Sequence, residues 1–450
     1  MIASLKRKRA EQRYRRGPHS ITDLNAPLLY LSPHDTFTIG DACEGVHVFG
    51  ATGAGKTSGP GRALALSLLR SGMGGLVLCA KADEPQLWMH YAELTGRLDD
   101  LVMIAPVSDG GRFTFNILDH EMHRGTAGGG NAANVVETLS VLAEIADAGS
   151  GAVGGKGGIG GGENGGFWES SRRTMTRHAV TILAASEGRI RLPDIRRLIL
   201  TAPQDRAEAA ESHWQSESFC FAAIERASSA PLTDDQRIDL EMAVEYFLIE
   251  FPALADKTRS IVVSSFTGMC DDLVRAPLRD LLCGTTTITP EATFEGKILV
   301  VAMPVKQHGR VGRLVAGAWK HAFQQAAERR PPNTQSSPVR PAFLFADEYQ
   351  HFITSTDREF QSTARSSRIC TIAMSQNLPA YYAQIGGSDP RSVVDGLLGN
   401  LRTQILCANG DQTTNRWSEE TIARGWTTSV STSSSDHRGS GAGGAGGFGG

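Results

Sequence analysis

Val46-His-Val-Phe-Gly-Ala-Thr-Gly-Ala-Gly-Lys-Thr57 is the stretch on which the fold of this chain turns. A short apolar run of strand type ends in Gly50-Ala-Thr-Gly-Ala-Gly-Lys-Thr57, which meets the phosphate-loop pattern G-x-x-x-x-G-K-[ST] at every fixed position. A polyphosphate must be met by several backbone N–H groups at once, and glycines let the backbone curl that tightly. Thr52, Gly53, Ala54, Gly55, Lys56, Thr57 and Ser58 are therefore the expected cradle for ATP. Lys56 can reach the β- and γ-phosphates, and the Thr57 hydroxyl can join the shell of a bound Mg2+. The rival reading, a plain glycine turn, is weakened by context: a strand precedes the loop and a helical pattern, Arg62 to Arg70, follows it.

Working outward, the 450 residues leave room for roughly two or three domains with real cores. The net charge of −3 does not announce a nucleic-acid binder, so any such surface is local. The start is the exception: Lys6, Arg7, Lys8, Arg9, Arg13, Arg15 and Arg16 are offset only by Glu11. It reads as a solvated arm or as a contact for nucleic acid or an anionic membrane surface. The seven cysteines are scattered without C-x-x-C pairs, which argues against a disulfide framework or zinc site and for a reducing cytosol. No apolar run approaches the roughly 18 residues of a membrane helix, so a soluble chain without an integral membrane segment is expected.

Gly75-Leu-Val-Leu-Cys79 and Leu101-Val-Met-Ile-Ala105 read as further buried strands, separated by a helix from Gln86 to Thr95. Strand alternating with helix is the grammar of a doubly wound, mostly parallel sheet. Lys81-Ala-Asp-Glu84 stands at a strand's carboxyl end, where ligands gather in such sheets. The pattern then changes. Helical periodicity runs through Asn131 to Ala148, Trp168 to Glu187 and Leu240 to Ala255, interrupted by the glycine-rich stretch 149–166, which reads as a mobile linker. The sheet resumes with Gly296 to Met303, a helix from Arg310 to Arg329, then Ala342 to Ala346, Ile369 to Ser375 and Arg402 to Cys407. The expected organisation is a basic arm (1–20), an ATP-binding domain in two parts (21–121 and 286–426), an all-helical insertion (122–285) and a disordered Ser/Gly-rich tail (427–450).

Phe343-Leu-Phe-Ala-Asp347-Glu348 supplies the second half of a nucleotide site: four apolar residues closed by two acids. Asp347 is placed to share the Mg2+ with Thr57, and Glu348 to act as general base on water. Gln376 ends the next strand, where an amide can sense the γ-phosphate. Arg365 and Arg368 lie just upstream, and an arginine supplied by a neighbouring subunit stabilises charge on a transferring phosphoryl group. Lys56, Glu348, Arg365 and Gln376 are thus the candidate catalytic residues.

These motifs, with Lys81, Phe115-Asn-Ile-Leu118, Phe167-Trp-Glu169, Arg365 eleven residues before Gln376, and Gly399-Asn400, resemble the conjugative coupling ATPases of TraG/TraD type within the FtsK/HerA group of DNA-pumping motors. The resemblance runs from about Gly45 to Asn415. It implies a RecA-like α/β motor domain carrying an all-helical domain, a homo-hexameric ring with ATP between subunits, and DNA held without sequence preference in a central channel. It also implies Arg365 as the arginine finger, and relaxosome or secretion-channel proteins as partners. Such proteins usually begin with membrane helices and commonly carry Asp-Pro-Lys-Gly-Glu where this chain has Cys79-Ala-Lys-Ala-Asp83. A cytoplasmic protein, peripheral at the inner membrane through a partner or the basic arm, is the corresponding expectation. Pro60 stands past the helix position where proline is welcome and is expected to distort the turn after the loop. Two alternatives stay open: a nucleotide-gated adaptor that recruits protein substrates without pumping DNA, and a soluble helicase-like ATPase of a mobile element.

Overall fold

The computed structural model describes residues 21–125, 129–148, 165–331, 333–334, 337–385 and 389–422. The basic arm, most of the glycine-rich stretch and the Ser/Gly-rich tail lie outside the described residues. Two short antiparallel strands, β1 (Pro27–Tyr30) and β2 (Thr36–Thr38), precede the main sheet. That sheet contains β3 (Val46–Phe49), β4 (Gly74–Leu78), β5 (Leu101–Ile104), β6 (Ile298–Val301), β7 (Ala342–Ala346), β8 (Ile369–Ser375) and β9 (Thr403–Leu406). Its seven strands run in the order β5-β6-β4-β7-β8-β3-β9, every pair parallel. The apolar runs read from sequence as strands are these seven. They are nearly continuous in apolar residues because both faces are covered: Val48, Val77, Phe343 and Ile372 face one buried cluster, Phe49, Leu76, Leu299 and Leu344 the other.

A parallel sheet puts every carboxyl end on one edge, and register fixes what meets there. Phe49 is level with Ser375 and with Leu406, while Ala346 is level with Leu78 and Ala373. One strand, β8, separates the loop strand β3 from β7, so the residue after Ser375 emerges between the phosphate loop and the two acids.

After the loop comes a wide turn of π type, Thr57–Gly61, and then α1 (Arg62–Arg70). Pro60 causes the wide turn. In an α-helix Lys56 O would accept from residue 60, which has no N–H; instead it accepts from Gly61 N at 2.8 Å. The distortion expected of Pro60 is therefore one widened turn, and α1 runs regularly beyond it. Next, α2 (Glu84–Thr95) leads from β4 towards β5.

Between β5 and β6 every described element is helical: α3 (Ile117–His123), α4 (Ala132–Ala148), α5 (Gly165–Glu187), α6 (Leu192–Leu200), α7 (Phe219–Ser228), α8 (Asp234–Glu245), α9 (Asp256–Cys270) and shorter turns. The Phe115-Asn-Ile-Leu118 segment is a junction. Phe115 packs on Trp319 with ring centroids 4.8 Å apart, Asn116 Oδ1 caps α3 by accepting from Asp119 N at 3.2 Å, and Asn116 Nδ2 donates to Ile190 O at 2.8 Å. Two boundaries differ from the sequence reading. Helix α5 already begins at Gly165. The helix expected from Leu240 to Ala255 begins instead at Asp234, behind a Thr233–Gln236 capping box, and after Glu245 passes into a π turn and a 3-10 turn ending at Ala253.

The chain returns through β6 into α10 (Val305–Glu328), which breaks at Gly309 (φ 56°, ψ −128°), so its regular part starts at Arg310 as the sequence predicts. A Cβ on Gly317 would lie 2.8 Å from Ile145, so that glycine lets α4 press onto α10. One buried cluster runs without a break from Leu76 and Leu299 of the sheet through Trp319 to Leu139, Val180, Phe247 and Phe266 of the helices. The last helices are α11 (Asp357–Thr363), α12 (Leu378–Ile385), α13 (Pro390–Gly399) and α14 (Gln412–Ile422). No described helix is long and apolar enough to cross a membrane.

Candidate nucleotide site

Strand β3 delivers the loop to the carboxyl edge, where neighbouring strands hold its root. Gly50 N donates to Ser375 O (3.2 Å) and Ala51 N to Ala408 O (3.0 Å). Gly53 and Gly55 both take φ +79°, the left-handed conformation that turns successive N–H groups inward. Gly59 N donates to Gly55 O at 2.7 Å and closes the loop onto the turn that follows.

Strand β7 brings Asp347 and Glu348 alongside. The Thr57 hydroxyl donates to Asp347 Oδ2 at 2.7 Å, so the two residues expected to share a metal already touch. Glu348 N donates to Asp347 Oδ1 at 2.9 Å. Glu348 stands at φ 54°, ψ 47°, a left-handed backbone unusual for a residue with a side chain and costing of order 1–3 kcal/mol. This kink separates the directions of the two adjacent carboxylates: Asp347 faces Thr57, while Glu348 turns towards β8.

The Glu348 carboxylate is 2 % exposed and surrounded by donors. Gln350 Nε2 donates to Oε2 at 2.7 Å, and Gln376 Nε2 lies 3.1 and 3.2 Å from its two oxygens. Lys56 Nζ is 3.6 Å from Oε1 and Lys81 Nζ 3.5 Å. Burial works against the charge, but the two amides and then the two lysines outweigh it and hold the carboxyl down at about 2. Glu348 is ionised and able to accept a proton.

Lys81, whose loop departs from the coupling-protein pattern, lies inside the cluster: Nζ donates to Asp347 Oδ2 at 2.5 Å. Burial opposes its charge, while Asp347, Glu84 and Glu348 raise its pKa above the ordinary lysine value. Glu84 sits behind it with Oε2 accepting from Ala80 N at 2.6 Å; burial, with Asp347 nearby, pushes its carboxyl up to about 8. The set around the loop is therefore Lys56, Thr57, Lys81, Asp347, Glu348 and Gln376. A cavity of about 610 Å³ opens beside it between β9 and α14, lined by Phe49, Cys407, Asn409, Asn415 and Ile422 among others.

Arg365 stands apart. It precedes β8 at the amino edge of the sheet, 67 % exposed, with Nη1 3.1 Å from Glu44 Oε1; Arg402 holds the other Glu44 oxygen at 2.9 Å. It cannot serve the phosphate loop of its own chain. Arg368 is a buried structural residue whose guanidinium donates to Thr22 O at 2.5 Å and Val339 O at 3.3 Å.

Gln350 and Ser375 carry the cluster without standing out as site residues in the sequence, while Glu84 belongs to the Lys81–Glu84 stretch expected at the ligand-gathering edge. Solved structures of the plasmid coupling protein TrwB share this arrangement of elements. The complex with a non-hydrolysable GTP analogue matches with a TM-score of 0.52 at 16% identity, over 90% of this chain and 80% of that one. The chain has the fold of a conjugative coupling protein. TrwB bound to a non-hydrolysable ATP analogue matches with a TM-score of 0.53 at 16% identity (85% and 75% of the two chains), and the ADP and Mg2+ complex with 0.50 at 16% (82% and 71%). At such identities the likeness is one of fold. No protein-family model matches the sequence, and no curated protein matches it significantly. The RecA-like coupling-protein fold with its parallel sheet is thus as the sequence predicts.

Proposed function

We propose that this chain is an ATP-driven DNA translocase of the conjugative-coupling kind, hydrolysing ATP between subunits of a ring. The observation that carries the reading is the convergence of Lys56, Thr57, Asp347, Glu348 and Gln376 on one edge of a coupling-protein fold. TrwB, which shares that fold, has been solved with an ATP analogue and with ADP and Mg2+.

The donors suit Mg2+: the Thr57 hydroxyl and the Asp347 carboxylate are hard oxygens side by side, and both would hold the ion. When bound, Mg2+ neutralises charge on the phosphates. The chain's own groups do the rest. Backbone N–H groups from Thr52 to Ser58 cradle the phosphates, and Lys56 meets the β- and γ-oxygens. The cavity beside Phe49 takes the nucleoside. Glu348 Oε1, turned to the loop side, accepts the proton of the attacking water, a role worth about 10²–10⁴-fold in rate. Gln376, bonded to that same carboxylate, reports the γ-phosphate to β8. Lys81 offsets the paired charges of Asp347 and Glu348. Arg365, exposed and far from its own loop, completes a neighbour's site, which requires a homo-oligomer such as a hexamer. Residues 122–285 form the all-helical domain inserted in the motor, and the channel loops hold DNA by its phosphates, indifferent to sequence. Relaxosome or secretion-channel proteins are the expected partners, at the cytoplasmic face of the inner membrane.

The test is displacement of a third strand from a DNA triplex, with ATP or a non-hydrolysable analogue. ATP-dependent displacement that Glu348→Gln abolishes supports movement along DNA. Hydrolysis without displacement would favour the recruiting adaptor.

A further inference from the structure

Behind Glu348 runs a buried line of polar groups that joins the two halves of the site. Glu348 Oε2 accepts from Gln350 Nε2 at 2.7 Å, and Gln350 Oε1 accepts from Ser375 Oγ at 2.8 Å. Further back, the Tyr381 hydroxyl lies 2.8 Å from His47 Nε2. All five side chains are buried.

Elementary satisfiability fixes the protons nearest the carboxylate. A carboxylate only accepts, so Gln350 presents its NH2 to Glu348 and its oxygen to Ser375. The Ser375 hydroxyl must then donate to Gln350. At the far end, His47 Nδ1 is buried with no hydrogen-bond partner, which an acceptor tolerates better than a stranded N–H, and this favours Nε2–H donating to Tyr381. Ser375 and Gln350 donate in the same direction, so the first bond polarises the second towards the carboxylate.

The line also selects which oxygen of Glu348 does what. Oε2 is taken by Gln350, while Oε1 faces Lys56 and Lys81 on the loop side with Gln376 Nε2 at 3.1 Å. Ser375 makes the selection rigid, because its backbone carbonyl accepts from Gly50 N while its hydroxyl donates to Gln350. One residue therefore ties both the root of the phosphate loop and the carboxylate.

We propose that Gln350, locked to β8 through Ser375, is the positioning residue that aims Glu348 Oε1 at the attacking water. The proposal rests on Glu348 being the general base. Gln350 itself touches neither nucleotide nor water; it acts through the orientation of one carboxylate.

The experiment is steady-state ATP hydrolysis by the full chain, with kcat and KM measured for wild type, Gln350→Leu, Ser375→Ala, Glu348→Gln and the double variant Gln350→Leu/Glu348→Gln. The Kd of a fluorescent ATP analogue is measured for each. Gln350→Leu is expected to lower kcat about 10- to 100-fold, the scale of a misaimed catalytic group, with KM and Kd within about twofold of wild type. Ser375→Ala follows in the same direction with a smaller loss, and carries the test if Gln350→Leu fails to fold. In the Glu348→Gln background Gln350→Leu changes the residual rate by less than about twofold, because there is no base left to aim. A wild-type kcat in Gln350→Leu overturns the proposal, as does an equal loss in both backgrounds, the mark of a merely structural residue. Wild-type turnover by Glu348→Gln would overturn the base assignment itself, and that arm separates the two failures.

Discussion

Replacing Asp357 by asparagine is expected to destabilise this protein about as much as a core truncation. The Asp357 carboxylate is 1 % exposed and accepts from Lys320 Nζ at 2.6 and 2.7 Å, from Gln324 Nε2 and Tyr349 OH at 2.9 Å each, and from Thr354 N at 3.0 Å. Lys320 is equally buried, on α10, and burial lowers its pKa despite the facing carboxylate. Asp357→Asn keeps the volume but strands that ammonium. Removing one partner of a buried pair costs about 3–5 kcal/mol. Lys320 keeps the Phe352 carbonyl at 2.5 Å and the Thr354 hydroxyl at 3.1 Å, which favours the lower end, about 3 kcal/mol. The double change Lys320→Met/Asp357→Leu removes both charges and is expected to cost less than Asp357→Asn alone, although Gln324, Tyr349, Thr354 and the Phe352 carbonyl must find new partners. The assay is urea unfolding followed by fluorescence and circular dichroism, with unchanged slopes taken as the sign of a comparable transition. A loss below about 1 kcal/mol in Asp357→Asn, or a double variant at least as unstable as the single, would refute the account of this pair. Tyr349 directly follows Glu348, so the same variant should also slow any turnover.

Three further outcomes are expected. Arg365→Ala should lower hydrolysis about 10³-fold or more with ATP affinity unchanged, and mixing it with Lys56→Ala subunits should restore part of the rate; no recovery on mixing would contradict a finger supplied to the neighbour. His321 is held at about 4 by burial and then by the Lys320 charge, against roughly 6.5 unfolded, so between those values the unfolded chain binds the extra proton and stability falls as pH falls. His321→Leu should flatten the stability–pH curve between about pH 4 and 6 by about 1.4 kcal/mol per unit relative to wild type, and parallel curves would refute that assignment. Gly75→Ala places a methyl 2.4 Å from the Phe343 ring and carbonyl in the middle of the sheet, so a loss of about 1–3 kcal/mol or more is expected; a wild-type urea midpoint would show that β4 and β7 have slack.

What the sequence made legible was local. The phosphate loop is a contiguous pattern, and each core strand is a short apolar run because parallel strands are covered on both faces. Glu348 and Gln376 could be named because each ends such a run. Lys81 could be noticed but given no role, since its partner Asp347 is 266 residues away and arrives only through the pairing of β4 with β7. Gln350 and Ser375 were invisible for the same reason: their bond spans 25 residues and needs the register of β8. Among the helices, α6, α7 and α9 are not delimited by the sequence reading. The last two nonetheless bury residues at helical spacing, Cys220, Ala223, Ile224 and Ala227 in α7 and Val262, Phe266 and Cys270 in α9, but the stripes are short and built partly of small residues. The start of α8 was available in the Thr233-Asp-Asp-Gln236 capping box and was overridden by the apolar residues further on.

The central claim is tested most directly by the rate of ATP hydrolysis by wild type and Glu348→Gln, with and without single- and double-stranded DNA, across a salt series. The account predicts strong stimulation by DNA that fades as salt rises and is lost in Glu348→Gln. Slow turnover indifferent to DNA at every salt concentration would contradict it.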